Sequence, residues 1–271
     1  MVNIVYSANY KYFKQILISA VSIANHASEP ICVHILTVDL TRLKPHFLAV
    51  TEGQRKYLED ILKTKNPENQ VKLFDIKDEY ASAKFNAKVE STPFTPYTLL
   101  RLFIDVVPGI PEKIIYLDTD TISNGDIAEL YNIDNTNYEL VCVRDVFIWG
   151  LKNHRRYFNA GMMYINVKKI KETKLFTRIR EMLNVKSSVF IDQDALNYNV
   201  KDLLLVDRKF NTIHGDYKKA VIHHMCDCRH HLVCRFKSSD LEAVKKYRPF
   251  YRPLIAECEQ YINKAIELKL L

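Results

Sequence analysis

Glycine is scarce in this sequence: the 271 residues include six, and none of them builds a GxGxxG or Walker A loop. A diphosphate ligand would therefore lack the usual cradle of backbone N–H groups. Long apolar runs are also missing, so we expect no segment to span a bilayer. The first ten residues, MVNIVYSANY, lack the basic segment, apolar run and cleavage site of a signal peptide, and they predict a buried strand.

Zinc-finger spacing and an RRM-type aromatic motif are absent as well. Their absence disfavours nucleic acid as a partner, although the net charge is +7. The charge favours an acidic membrane surface or a phosphorylated small molecule instead. Because no export signal accompanies the six cysteines, we expect reduced thiols and a cytoplasmic protein. Hydrophobic residues make up 48% and charged residues 26% of the chain, which predicts a packed globular core.

Short apolar runs alternate with amphipathic segments along the chain. Strand candidates begin at residues 3, 31, 70, 113, 139, 162, 203 and 220, and helical spacing follows the first of them. This alternation predicts an α/β fold with a mostly parallel sheet and right-handed crossovers. PYTLLRLFIDVV, from residue 96, and the segment from residue 253 are predicted as helices. No repeat or linker interrupts the pattern, so we expect a single domain.

The segment KIIYLDTDTIS, from residue 113, places two aspartates directly after an apolar strand. In an extended strand Asp118 and Asp120 point the same way, roughly 6.5–7 Å apart between Cα atoms, while Thr119 faces away. Two converging carboxylates need a cation nearby. Carboxylate oxygens suit Mg²⁺ or Mn²⁺, which would leave coordination sites for phosphate oxygens. The sequence therefore predicts a divalent metal in place of the missing glycine cradle.

Two other interpretations of this motif remain open. Either aspartate could simply cap a turn at the end of the strand. DTDT also fits the DxDxT signature of haloacid-dehalogenase-type phosphatases, in which the first aspartate is the nucleophile. That fold needs a later lysine and a further acidic pair, which GDYKKA from residue 215 matches poorly.

Three further segments carry residues suited to a ligand site. FNAGMMYINVKK, from residue 158, is an Asn-Ala-Gly turn before an apolar strand, and small residues there let a backbone or a sugar approach closely. FIDQDALN places Asp192, Gln193 and Asp194 near a predicted helix start, where one acid could serve as the N-cap. VIHH ends a strand with His223, which is either a third metal ligand or a structural histidine.

Six segments resemble, in their order along the chain, the motifs of the family 8 glycosyltransferases, from residue 3 to about residue 231. They are NIVYSANYKY, PYTLLRL, IIYLDTD, FNAGMMYINVKK, IDQDALN and VIHH. The resemblance implies a GT-A fold over residues 1–235, meaning a Rossmann-like, mostly parallel sheet with flanking helices. Residues 236–271 would form a short basic and aromatic appendage with a helix. The implied enzyme uses Mn²⁺ or Mg²⁺ to transfer glucose or galactose from a UDP-sugar to a glycan or lipid-linked glycan, with retention as an α-linkage.

The resemblance also implies roles by position. The metal ligands would be Asp118, Asp120 and His223. Donor binding is expected of Ala8, Asn9, Tyr12, Arg101, Thr119, Asn159, Ala160 and Arg229. The residues expected at the reacting sugar are Gln193, which faces the anomeric carbon, Asp192, which contacts a sugar hydroxyl, and Asp145, which contacts a donor or acceptor hydroxyl.

The sequence departs from the family pattern in two places. Asn9 replaces a carboxylate that often binds uracil, although its amide still offers a donor and an acceptor. After the histidine, HHMCDCRHH replaces a Gly and Lys-Pro-Trp pattern. Arg229 stands where the phosphate-binding lysine is expected, and the other candidate cations are Lys218, Lys219 and Lys237. Residues 223–234 could also hold zinc through Cys and His side chains, but their spacing fits no standard pattern.

Two alternatives concern partners. KKYRPFYRP, from residue 245, mixes basic and aromatic residues. It is either a solvated loop or a peripheral contact with the anionic inner face of a membrane that carries a lipid-linked acceptor.

A non-catalytic nucleotide-sugar or glycan-binding protein on the same fold is the other function to consider. The intact DTD motif argues against that function, and the lost Lys-Pro-Trp argues for it.

Overall fold

The computed structural model describes residues 1–90, 95–145, 156–185, 191–213, 215–225 and 240–271. Within these ranges the chain forms a seven-stranded sheet, a two-stranded sheet and flanking helices. The predicted α/β fold is confirmed. Among the described residues we find no helix with the length and apolar character needed to cross a bilayer.

The large sheet has the strand order β3-β2-β1-β4-β7-β6-β8. Its strands are β1 (Val2–Ser7), β2 (Ile31–Thr37), β3 (Gln70–Asp75), β4 (Lys113–Leu117), β6 (Leu140–Arg144), β7 (Phe158–Asn166) and β8 (Leu203–Val206). Six strands run in one direction, and β7 runs antiparallel between β4 and β6. The small sheet pairs β5 (Thr121–Ser123) antiparallel with β9 (Ile222–His224). All eight predicted strands are present, and β5 is additional.

The helices lie between the strands and at the end of the chain. They are α1 (Phe13–Ala24), α2 (Glu52–Lys65), α3 (Lys77–Ser82), α4 (Ala87–Glu90), α5 (Ala128–Tyr131), α6 (Val167–Glu172), α7 (Leu175–Val185), α8 (Ile191–Asn199), α9 (Leu241–Tyr247) and α10 (Arg252–Glu267). The predicted helix from residue 96 is a 3-10 helix, Pro96–Phe103. Thr51 is the N-cap of helix α2, and its side chain forms a capping box with Gln54.

Two apolar cores cover the faces of the large sheet, because successive side chains of a strand point to opposite faces. Ile4 of β1 packs in the core that contains Ile16 of α1. Val5 packs in the other core, with Leu100 of the 3-10 helix. Ile255 of α10 belongs to the first core, so the C-terminal helix packs in the same core as β1 and α1. The domain boundary predicted at residue 235 lies outside the described residues and stays a prediction.

The strand order determines which residues meet at the carboxyl edge of the parallel strands. The DTD turn follows β4, which lies beside β1 at the centre of the sheet. Because β7 is antiparallel to β4, its first residues lie at the same edge, where Leu117 pairs with Met162. Open α/β sheets bind ligands at this edge.

Candidate active site

Three side chains at this edge form a cluster that could hold a metal ion. The ligand atoms of Asp118, Asp120 and His224 all lie within 4.8 Å of one another. The Nε2 atom of His224 is 3.2 Å from Asp120 Oδ1 and 3.8 Å from Asp118 Oδ2. The aspartate side chains are 29% and 23% exposed, so a ligand can reach them. Carboxylate oxygens together with an imidazole nitrogen fit the divalent metal predicted from the sequence.

The histidine in this cluster is His224, whereas the sequence indicated His223. The pairing of β9 with β5 explains the difference. His223 stands opposite Ile122, which is fully buried, and His224 stands opposite Thr121, directly after the aspartates. Because neighbouring residues of a strand point to opposite faces, one histidine enters the core while the other faces the carboxylates.

His223 contacts aromatic residues in the interior of the protein. It is 2% exposed, and its Nδ1 lies 2.8 Å from the hydroxyl of Tyr251. Its ring stacks on Tyr217 and on Tyr251, with centroid distances of 5.4 and 5.6 Å. The contacts of His223 are therefore those of a structural residue that joins β9 to the C-terminal segment.

Backbone contacts hold the DTD turn in place. The N–H of Asp118 donates to the carbonyl of Gly161 over 2.8 Å, and the N–H of Met225 donates to the carbonyl of Asp120 over 2.9 Å. The Thr121 hydroxyl donates to the Asp118 carbonyl over 2.9 Å. The turn is thus fixed to both β7 and the end of β9.

Gly161 gives the imidazole of His224 the space that it occupies. A Cβ atom at position 161 would lie 2.0 Å from Cε1 of His224, which is far inside van der Waals contact. Only glycine allows β7 and this histidine to approach so closely. The glycine of the Asn-Ala-Gly turn therefore makes room for a protein side chain.

Arg101 is the cation that meets the carboxylates of Asp118 and Asp192. Its side chain is 3% exposed, and Nη2 donates to Asp118 Oδ1 over 2.8 Å while Nε lies 3.2 Å from Asp192 Oδ2. Nη1 donates to the carbonyl of Ala160 over 2.7 Å, and the guanidinium lies 4.4 Å from the ring centre of Tyr116. Arg101 therefore joins the 3-10 helix to the DTD turn, β7 and α8.

The protonation of the two neighbouring acids follows from these contacts. Burial acts to raise the pKa of Asp120, but the charge and hydrogen bond of His224 hold this pKa below its usual value. Burial raises the pKa of Asp192, and the guanidinium of Arg101 opposes this shift only in part. Asp120 is therefore favoured as a carboxylate, which is the form that binds a metal.

Gln193 and Asp145 are joined in one hydrogen-bond network. The Oε1 atom of Gln193 accepts from the N–H of Ala160 over 2.9 Å, and its Nε2 donates to Asp145 Oδ2 over 3.2 Å. The Nδ2 atom of Asn159 donates to the same carboxylate oxygen over 3.3 Å. The structure thus brings Asp145, Asn159, Ala160 and Gln193 together, and it shows that both ends of the Gln193 amide have protein partners.

Two residues of this region, Tyr157 and Asn211, were not predicted from the sequence. The hydroxyl of Tyr157 donates to Asp194 Oδ1 over 2.6 Å, which joins the start of β7 to α8. Asn211, after β8, lies between Asn159 and His224 and bonds both, at 3.0 and 3.2 Å. A lone asparagine or tyrosine between secondary-structure elements gives no sequence signal of such a contact.

The residues expected to bind the nucleotide follow β1. Asn9 is 1% exposed, and its Oδ1 accepts from the N–H of Tyr12 over 3.2 Å as the N-cap of a 3-10 helix. Asparagine and aspartate serve equally well as N-caps, so the change from the family's carboxylate keeps the local structure. Ala8 is buried, whereas Tyr12 and Thr119 are partly exposed. Their contacts with a nucleotide stay predictions.

The predicted phosphate-binding residue Arg229 lies outside the described residues, as do Lys237 and the Cys and His side chains of residues 226–234. The zinc site considered for that segment therefore stays a prediction. Of the other candidate cations, Lys219 is 86% exposed and forms an ion pair with Asp216.

Known structures share this fold. The galactosyltransferase LgtC, solved with donor and acceptor sugar analogues, superposes with a TM-score of 0.64 over 93% of this chain and 100% of that chain, at 18% identity. The glycosyltransferase GlyE of Streptococcus pneumoniae superposes with a TM-score of 0.60 over 100% of this chain and 65% of that chain, at 19% identity. The fold is therefore that of the GT-A glycosyltransferases, as predicted.

Residues 3–233 match the model of glycosyl transferase family 8, and the chain belongs to this family. The lipopolysaccharide 1,2-glucosyltransferase of Escherichia coli is 30% identical over 145 residues, which are 45% of this chain and 43% of that protein. The lipopolysaccharide 1,3-galactosyltransferase of Salmonella typhimurium is 29% identical over 149 residues, 48% of this chain and 44% of that protein. The matches cover between 26% and 62% of the curated relatives' own length.

Proposed function

We propose that this chain is a metal-dependent, retaining glycosyltransferase. In this proposal it moves glucose or galactose from a UDP-sugar to a glycan or glycolipid acceptor and forms an α-linkage. The observation that supports it most is the cluster of Asp118, Asp120 and His224 at the carboxyl edge of the sheet. Family membership sets aside the phosphatase alternative.

The metal would be Mn²⁺ or Mg²⁺, held by these three side chains. When bound, the ion would supply positive charge to the diphosphate that leaves the sugar. Arg101 keeps Asp118 oriented, because its guanidinium donates to Oδ1 of that carboxylate. We therefore assign Arg101 to the positioning of Asp118 and Asp192, and Arg229 to the phosphates.

The residues beside the metal cluster bear on the route by which configuration would be retained. A double displacement needs a carboxylate nucleophile at the anomeric carbon. Gln193 carries an amide, which is a poor nucleophile, and its two ends bond Ala160 and Asp145. Asp192 forms an ion pair with Arg101. We propose a front-face route in which a departing phosphate oxygen takes the proton of the acceptor hydroxyl, while Asp192 and Asp145 contact sugar hydroxyls.

We assign donor binding to residues near the carboxyl edge, and we infer the acceptor class from the relatives. Tyr12 would stack on uracil, with Ala8 and Asn9 beside the base. Asn159 and Ala160 would contact the sugar, with Thr119 in the metal turn. Relatives named as lipopolysaccharide glucosyl- and galactosyltransferases support an acceptor of the lipopolysaccharide type.

We further propose that the protein is cytoplasmic and touches the inner face of a membrane at residues 245–253. Phe250 and Tyr247 are 47% and 48% exposed there, among basic residues. Co-sedimentation with vesicles tests this contact. Binding to phosphatidylglycerol vesicles should exceed binding to phosphatidylcholine vesicles, and equal binding to both would contradict it.

Hydrolysis of UDP-glucose and UDP-galactose without an acceptor tests the proposed activity. We expect release of UDP with Mn²⁺, none with EDTA, and none from Asp120→Asn, which removes a ligand but relieves repulsion between the carboxylates. Proton NMR of the first sugar released should show the α-anomer. A β-anomer would contradict retention.

The alternative is a non-catalytic nucleotide-sugar-binding protein on the same fold. Measurement of UDP release separates the two, because the non-catalytic protein would bind a UDP-sugar with Mn²⁺ but release no UDP on prolonged incubation with acceptor glycans.

A further inference from the structure

Asn211 is buried between the metal cluster and the residues expected to contact the sugar. It is 4% exposed, and its amide bonds Asn159 on one side and His224 on the other. Backbone hydrogen bonds hold this segment against β9. The N–H of Thr212 donates to the carbonyl of Ile222, and the N–H of His224 donates to the carbonyl of Thr212, each over 2.9 Å. The position of Asn211 relative to His224 is therefore set by the backbone.

A backbone N–H determines the orientation of both amides in this network. The N–H of Gly161 can only donate, and it does so to Oδ1 of Asn159 over 2.9 Å. The partner of Asn211 is that same Oδ1, so Asn211 must present its Nδ2 to Asn159. Its Oδ1 then faces Nδ1 of His224.

The tautomer of His224 follows from this orientation. An amide oxygen can only accept, so the proton of the His224–Asn211 hydrogen bond is on Nδ1. The ring binds an ion in its neutral form with the proton on Nδ1, in which Nε2 no longer donates to Asp120 and keeps a lone pair. Nε2 is the atom that faces Asp120, 3.2 Å from its Oδ1, and Asp118.

We propose that Asn211 is a positioning residue for the metal: it fixes the tautomer and ring orientation in which Nε2 of His224 becomes a ligand. This inference rests on the proposed function, because it requires the ion that the proposal places on the cluster. Hydrogen bonds from the second nitrogen of a ligating histidine are a general means of orienting the ring, and their loss typically weakens metal binding by about 10–100-fold. The same amide also joins the metal cluster to the sugar-contacting network through Asn159.

Three variants test the role of Asn211 by Mn²⁺ titration, with free Mn²⁺ measured by electron paramagnetic resonance. Asn211→Leu keeps the size and removes both hydrogen bonds, so we expect about 10–100-fold weaker Mn²⁺ binding. Asn211→Asp keeps an acceptor for Nδ1 of His224 but loses the donor to Asn159 Oδ1, so its affinity should fall less than that of Asn211→Leu, since carboxylates also serve as acceptors for a ligating histidine.

Asn69→Ala is the matched control. Asn69 is 2% exposed and also makes two backbone bonds, to the N–H of Ile31 and the carbonyl of Leu62, away from the carboxyl edge. We expect it to lower stability and to leave the Mn²⁺ affinity unchanged. The inference is overturned if Asn211→Leu binds Mn²⁺ like the wild type, or if Asn69→Ala weakens binding as much as Asn211→Leu. If the wild type itself binds no Mn²⁺, the proposed function fails instead.

Nitrogen-15 NMR of the wild-type protein gives a second test that does not depend on a folded variant. In long-range ¹H–¹⁵N spectra of the Mg²⁺-loaded protein, the ring of His224 should carry its proton on Nδ1, and Nε2 should shift when Mg²⁺ is added. A ring that carries its proton on Nε2 in the loaded protein would overturn the inference.

Discussion

The imidazole of His224 lies where a side chain at position 161 would have to be. A Cβ atom on Gly161 would come within 2.0 Å of Cε1 and 2.5 Å of Nδ1 of this ring. The Asn-Ala-Gly turn and the metal cluster are therefore parts of one packing arrangement, and a substitution in the turn should be detected at the metal.

Gly161→Ala should displace the His224 ring and weaken Mn²⁺ binding at least tenfold, because neither the β7 backbone nor the buried ring can move aside cheaply. Calorimetric titration with Mn²⁺ measures this. Gly53→Ala is the control. Gly53 lies in helix α2, and a Cβ there would meet the flexible end of Leu270 at 3.1 Å and the Thr51 hydroxyl at an ordinary contact distance of 3.7 Å. Unchanged Mn²⁺ affinity in Gly161→Ala would contradict the assignment of His224.

The two neighbouring histidines should differ in their effect on Mn²⁺ binding. His224→Ala should remove Mn²⁺ binding and, because this ring is also buried, should lower the free energy of unfolding as well. His223→Ala should keep Mn²⁺ binding and lower the free energy of unfolding by about 2–5 kcal/mol, as expected when a buried ring is removed from a packed site. Urea unfolding and Mn²⁺ titration of both variants decide the matter. The reverse pattern would restore His223 as the ligand.

Removing the buried guanidinium of Arg101 should destabilise the fold, because Asp118 and Asp192 would be left without their cation. For Arg101→Met we expect a loss of about 3–5 kcal/mol in urea unfolding. Combining it with Asp118→Asn should cost less than the sum of the two single changes, because the pair is coupled. Strict additivity would show that the ion pair contributes nothing.

Gln193→Glu should make stability depend on pH. The new carboxylate would stand beside Asp145, whose Oδ2 is 3.2 Å from Nε2 of Gln193. A neighbouring like charge would raise the pKa of the introduced glutamate. The charged form is then disfavoured in the folded state. The penalty is absent below the ordinary glutamate pKa of about 4.3, and it grows as pH rises to the raised pKa, by about 1.4 kcal/mol for each unit.

Urea unfolding at pH 4.5 and pH 8 tests this prediction. The loss of unfolding free energy in Gln193→Glu, measured against the wild type, should be smaller at pH 4.5 than at pH 8. Gln193→Met, which adds no charge, should show the same difference from the wild type at both values. An equal pH dependence of the two variants would mean that Gln193 does not stand beside Asp145 as described.

Much of the fold was predictable because most strands of the large sheet are apolar runs with polar boundaries, and β3 alternates polar and apolar residues at its start. The convergence of Asp118 and Asp120 followed from the two-residue period of a strand. Strand β5 was not predictable, since three residues are too few to show a pattern. Likewise, PYTLLRLF shows an apolar helical face, which does not distinguish a 3-10 helix from an α-helix.

The choice between His223 and His224 needed information that the sequence does not contain. Which of two adjacent strand residues faces the core depends on the register with β5, and here Ile122 determines that face. Asn211 was missed for a related reason. Its partners are 13 and 52 residues away, and nothing in KFNT distinguishes this asparagine from one in an ordinary turn.

The antiparallel strand β7 also determines when the site can form as the chain folds. Among the described strands, β6 and β8 reach the rest of the large sheet only through β7, which is later in sequence than β6. Residues 118 and 161 meet when β7 pairs with β4, and residue 224 joins them when β9 pairs with β5. Because these strands are far apart in sequence, we expect the edge to form late in folding. A ligand whose site is absent from the transition state slows unfolding without speeding folding. We expect Mn²⁺ to act in this way: it should lower the rate of unfolding and leave the rate of folding unchanged.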